Sequence, residues 1–162
     1  VTIETTSIGR EFARRVNNIA CELQLQTGIH HRIERFMEDF AVEHPNLRAS
    51  YIAREVDESY FLDGFCPPEA AARPALHALC IEGENLFEFV LFAHGFRRDV
   101  VDIRSIAQIQ ETWLEPEKEK PFLFRATLYY TYPSVTILRA STGESQDAAQ
   151  EFLARLRYLK GW

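Results

Sequence analysis

The chain has 162 residues, 46% of them hydrophobic and 12% aromatic, enough to bury one core and more in keeping with one domain than two. Eighteen basic residues stand against 24 acidic ones, with a pI near 5.4, a balance that speaks against a phosphate-tracking nucleic-acid surface. No apolar run reaches the roughly 18–20 residues of a membrane-spanning helix, so no transmembrane segment is expected.

The acidic excess is uneven: residues 1–95 carry eight Lys/Arg against fifteen Asp/Glu, and residues 96–162 carry ten against nine. The N-terminal stretch VTIETTSIGREF lacks the charged-then-apolar order of a secretory signal. Cys21, Cys66 and Cys80 are odd in number and free of C-x-x-C spacing, which reads as reduced thiols and a cytoplasmic setting.

Ser7 is placed to cap a first helix, in which Phe12, Val16, Ile19 and Leu23 recur at helical steps. Gly28 has the position of a C-terminal helix glycine. A second stripe in another phase follows it, Ile29, Ile33, Phe36, Met37 and Phe40, and His44-Pro45-Asn46 closes that helix. From Leu47 the period drops to two: Leu47, Ala49, Tyr51 and Ala53 predict a strand. Asp57-Glu58-Ser59 turns it back into SYFLDGF, a hairpin over 47–65 that Cys66-Pro67-Pro68 ends.

EAAARPALHA allows a short helix interrupted at Pro74, and Ala75–Ile81 reads as extended. Glu82-Gly83-Glu84-Asn85 supplies a turn, after which Leu86–His94 is almost continuously apolar and belongs deep in the core. Gly95 makes the next turn. Residues 99–115 fit a helix through Ile103, Ile106, Ile109 and Trp113, or a strand kinked near Ser105. The strand is the reading taken, because its neighbours are sheet and isoleucine prefers it.

Residues 115–121 form a charged, proline-bounded loop. In the run 122–132, Phe122, Phe124, Ala126, Leu128, Tyr130 and Tyr132 share one face while Arg125, Thr127 and Thr131 interrupt the other, the pattern of an antiparallel strand with one buried face. It pairs with 134–140 through a turn at Tyr132-Pro133-Ser134. A last helix opens near Ser141–Ser145 and lines Ala148, Phe152, Leu156 and Leu159 along one face. The expectation is one α+β domain: a helical lead over 1–45, mainly antiparallel strands over 46–141, six to eight in a sheet or partly open barrel, and an amphipathic helix over 144–160.

The I-R-S-I-A-Q-I run at 103–109, followed by the hairpin and helix of 121–160, resembles pleckstrin-homology-like domains over residues 75–162. The resemblance implies a small barrel plugged by the last helix and a role in binding peptides, proteins or lipid headgroups. It makes Arg97, Arg98, Lys118 and Lys120 candidates for an anion site, among the acidic Asp99, Glu117 and Glu119.

Catalytic patterns are thin. No serine lies in G-x-S-x-G, no glycine run cradles phosphate, and no cofactor is expected. His30 and His31 project about 100° apart on a helix, and His30 with Glu34 is the one well-spaced pair, read as a surface contact, so no metal is expected. Cys21 and Cys80 read as small core residues, and Glu55, Asp57, Glu58 and Asp63 as a solvated hairpin tip. Trp113, Tyr129, Tyr130 and Tyr132 are candidates for an interface, with cross-strand packing as the alternative.

The functional expectation is a non-enzymatic module recognising a protein or peptide, with the N-terminal helices able to join two copies and peripheral membrane contact left open. The alternative is a small-ligand cup or small enzyme. Its cavity would lie between the helices and the faces of Phe87–Phe92 and Phe122–Tyr132, with His77, His94 or Asp102 as polar handles.

Overall fold

The structure, a computed structural model, describes residues 8–22, 27–45, 47–54, 74–92, 95–114, 123–140 and 143–162. Two helices, α1 (Ile8–Glu22) and α2 (Thr27–Glu43), precede seven strands: β1 (Ala49–Arg54), β2 (Pro74–Glu82), β3 (Asn85–Phe92), β4 (Gly95–Asp102), β5 (Ile106–Leu114), β6 (Leu123–Tyr130) and β7 (Val135–Ala140). Helix α3 (Gly143–Lys160) closes the order. The strands form two antiparallel sheets, β1-β2-β3-β4 and β5-β6-β7, which do not close into a barrel. This is the α+β class expected from the periodicities. The ambiguous 99–115 segment resolves as strand, a 3-10 turn over Ile103–Ser105, and strand.

The central strands β2 and β3 of the first sheet are buried on both faces, which explains why β3 is apolar almost throughout, while the edge strand β4 is largely exposed. Alternation sends Leu76, Ala78, Cys80, Phe87, Phe89 and Leu91 toward α1 and α2, and Leu79, Ile81, Leu86 and Val101 toward the second sheet and α3. The second sheet has a wet outer face, on which Tyr129 is exposed while Phe124, Ala126, Leu128 and Tyr130 point inward. The helical layer is locked by phenylalanines. Phe12, Phe40 and Phe89 meet with ring centroids 5.2–5.8 Å apart, and Phe40 stands edge-on to Phe87 at 5.5 Å. Such pairs add about 0.5–1.5 kcal/mol each beyond the area they bury.

Helix α1 also passes close to the end of α2, where a Cβ on Gly9 would collide with the His44 carbonyl oxygen. His44 then docks α2 on the sheet: its ring packs on Phe40 and Phe87, and its Nδ1 lies 2.8 Å from Glu82 Oε1.

Several expectations need correction. Both N-terminal stripes turn inward: Phe12, Val16, Ile33, Met37 and Phe40 are buried in one cluster, rather than one stripe covering the sheet and the other standing free. Gly28 lies in the first turn of α2 rather than at the end of α1, in open space that any residue could fill. Gly95 is the first residue of β4 rather than a turn. On α3 the buried face is Ala149, Phe152, Leu153 and Leu156; Ala148 is exposed, because the stripe that meets the sheets starts one residue later. Cys80 is fully buried as expected, but Cys21 is exposed. Strand β1 pairs with β2, Ala49 opposite Ile81 through Arg54 opposite Leu76. The expected second arm of the 47–65 hairpin, the part of the expected EAAARPALHA helix before Pro74, the expected 115–121 loop, Ser7, Leu23, Cys66 and His94 lie outside the described residues, and from Pro74 that alanine-rich stretch is strand β2 rather than helix.

Candidate functional site

A charged residue in the middle of an apolar strand is the strongest chemical anomaly in the fold. Glu88 interrupts LFEFVLF of β3, sits opposite Asp99 of β4, and faces the second sheet with its side chain 8% exposed. Alternation on β2 and β4 brings His77 and Arg97 to the same inner face. His77 Nε2 lies 3.3 Å from Glu88 Oε2, and Arg97 Nη2 lies 3.4 Å from Oε1. From β7, the Thr136 hydroxyl donates to Oε2 at 2.8 Å and shares a 2.6 Å hydrogen bond with the Tyr130 hydroxyl.

Burial alone pushes the Glu88 carboxyl upward. The close approach of the His77 ring, the hydrogen bond from the Thr136 hydroxyl and the Arg97 charge outweigh it and hold the group below the usual carboxylate range. The network therefore stitches the two sheets together around an ionised carboxylate. Tyr130, by contrast, is pushed up by burial and stays a phenol. Tyr132 stacks on its ring, the planes within 5° and the centroids 5.2 Å apart.

A second site lies at the end of the first sheet, where the β2–β3 turn, the 3-10 turn and the last turn of α3 meet. Gly83 takes a positive φ of 59° to make the tight β2–β3 turn, and the Glu84 carbonyl accepts from Ile103 N at 2.8 Å, tying the two turns together. Helix α3 ends in a Schellman motif: Gly161, at φ 74°, donates to Tyr158 O, and Trp162 N donates to Arg157 O. The motif places the exposed Trp162 ring 5.0 Å from the Lys160 ammonium.

Between these turns runs a cleft of about 360 Å³ lined by Arg48, Gly83, Glu84, Ile103, Arg104, Leu159 and Lys160. Arg104 is held by a bidentate pairing with Asp102, which also caps the 3-10 turn, and Lys160 Nζ donates to Arg104 O at 3.3 Å. Arg104 holds the Asp102 carboxyl below its usual range. Three cations thus face two carboxylates, and among the described residues Arg48 has no ion pair.

The residues singled out from sequence do not assemble as one site. Arg97 points inward to Glu88 and Asp99, while Arg98, next along β4, points to the opposite face and lies over the Phe36 ring at 5.3 Å. Adjacent strand residues alternate, so the two guanidiniums cannot share one anion. Lys118 and Lys120 lie outside the described residues. Of the four aromatics, only Tyr130 and Tyr132 meet, as a stacked pair. Tyr130 is buried and hydrogen-bonded; Tyr129 is on the outer face, donating to Gln110 at 2.9 Å; and Trp113 packs on Phe124 at the far end of β6, about 20 Å along the strand.

Of the three polar handles proposed for a cup, His77 belongs to the Glu88 network, Asp102 caps the 3-10 turn, and His94 is not described. The crevice between α1, α2 and the first sheet, lined by Val16, Phe36, Met37, Leu76 and Phe89 among others, holds about 10 Å³, room for about one water at most. Glu88, Thr136 and Arg48 were missed by sequence reasoning. The isolated Glu in LFEFVLF was the legible signal for the first; nothing local marks the other two. The chain matches no protein-family model, no curated protein and no solved structure.

Proposed function

We propose that the protein is a binding module that recognises an acidic segment of a protein partner at the cationic cleft beside the β2–β3 turn. The observation that carries this reading is the cleft itself: concave, near the lower end of ligand-site volumes, and lined by Arg48, Arg104 and Lys160 against Glu84. Arg104 is pre-positioned by Asp102, so its fork is already oriented. Trp162, largely exposed and in contact with the Lys160 ammonium, flanks the site with aromatic surface of the kind enriched at interfaces.

The test is an array of short acidic, neutral and basic peptides, followed by fluorescence anisotropy on the best binders. Acidic peptides should bind selectively and weaken with salt. The double reversal Arg48→Glu with Lys160→Glu should reduce affinity by tenfold or more. Equal binding by the reversed variant, or no preference for acidic peptides, refutes the reading.

A second reading, the small-ligand cup or small enzyme, is favoured by the convergence of His77, Glu88 and Arg97 between the sheets. It predicts a metabolite that raises the melting temperature of the native chain and loses that effect in Glu88→Gln.

A further inference from the structure

At the other side of the first sheet, the α1–α2 hairpin brings together four side chains that the cleft and the Glu88 network do not use. On α2, the donor atoms of His30, His31 and Glu34 all lie within 4.8 Å of one another. From the last turn of α1, Cys21 Sγ approaches His30 Nε2 to 3.2 Å. The backbone directions of adjacent helical histidines differ by about 100°, which argued from sequence against a shared ion. Side-chain reach overcomes this: the two rings turn toward each other with centroids 6.2 Å apart, and Glu34 lies one turn on from both.

We propose that Cys21, His30, His31 and Glu34 form a zinc site that clasps the ends of α1 and α2. The donor set is one sulfur, two imidazole nitrogens and one carboxylate oxygen, the chemistry of zinc and unlike the all-oxygen shells of magnesium or calcium. With Zn–S about 2.3 Å and Zn–N about 2.0–2.1 Å, a tetrahedral S···N edge is about 3.5 Å. The Cys21–His30 pair already stands near that spacing. Separations of up to 4.8 Å among His30, His31 and Glu34, and the wider gap from Cys21 Sγ, which lies outside that group and meets only His30, close by rotation of surface side chains, since Cys21, His31 and Glu34 are exposed. Binding takes the proton from the Cys21 thiol and releases it to buffer, leaving a thiolate on the metal with no change of oxidation state. The ligands come from two helices joined by a short connection, so the ion adds a cross-link at the one end of the hairpin that the phenylalanine core does not reach.

The experiment titrates the full, reduced, metal-stripped chain with Zn²⁺ against a chromophoric chelator, and with Co²⁺ as a spectroscopic stand-in. One ion per chain should bind, and the cobalt form should show both a thiolate-to-metal charge-transfer band and the intense visible bands of a tetrahedral site. Cys21→Ser should abolish the charge-transfer band and lower zinc affinity at least tenfold. His31→Ala and Glu34→Gln should each weaken binding tenfold or more, while Cys66→Ser leaves both signals intact. All the altered ligands lie at the helix surface, so circular dichroism should show the variants folded, and zinc should raise the melting temperature of the native chain but not of Cys21→Ser. Failure to bind one ion, unchanged affinity in Cys21→Ser, or a charge-transfer band lost in Cys66→Ser instead overturns the proposal.

Discussion

Replacing Glu88 with alanine tests whether the buried carboxylate holds the two sheets together. Removing one partner of a buried ion pair costs about 3–5 kcal/mol, because the remaining charge is left uncompensated. Arg97 softens the loss, since it is about one-fifth exposed and keeps Asp99 at 3.1 Å, so the cost should fall near the lower bound, about 3 kcal/mol. For a chain of this length about 2–4 °C of melting temperature follows each kcal/mol, giving a fall of roughly 6–12 °C. Thr136→Val, which removes a hydrogen bond to a charged acceptor, should cost about 1.5–3 kcal/mol. Because both variants break the same contact, the double variant should cost less than the sum by about 1–2 kcal/mol. Urea unfolding of the four proteins supplies the cycle. A Glu88→Ala loss below about 1 kcal/mol, or additivity within about 0.5 kcal/mol, would falsify the claim that this network couples the sheets.

The same carboxylate sets an acid limb. Its folded pKa lies below the unfolded one, so its stabilisation is complete above the ordinary glutamate range and disappears as pH falls through the folded value; Glu88→Gln should flatten the unfolding free energy against pH in that acid window, and an unchanged slope counts against the assignment. Gly9→Ala should lower the unfolding free energy by about 1–3 kcal/mol, read as a lower urea midpoint, through collision with the His44 carbonyl, although alanine is the better helix former by about 1 kcal/mol. A raised midpoint would mean that the two helix ends are not in close contact. Cys21 is exposed whereas Cys80 is buried with its thiol pKa pushed up, so alkylation of the native chain followed by peptide mapping should mark Cys21 and spare Cys80 until unfolding. Equal labelling of the two in the native state would contradict the burial of β2.

Local periodicity carried a great deal. The step of two in Phe124–Tyr130 and the helical steps of Phe12–Val16 and Phe152–Leu156 are each written within a few residues, because the side-chain repeat of a strand or helix is a property of its own backbone, whereas Leu47, expected to share a strand face with Tyr51, precedes β1 and packs in the other cluster. From these the class, the strand phases and the closing helix followed. The division into two sheets, the turn of both N-terminal stripes into one core, and the opposite destinations of Arg97 and Arg98 came only with the tertiary structure. So did the meeting of Glu88 with Thr136, 48 positions later, and of Arg48 with Lys160. A residue's own repeat states which face it occupies, but not what the opposing layer places there. That depends on how strands far apart in the chain are stacked, and burial of a charge becomes tolerable only where such stacking supplies its partners.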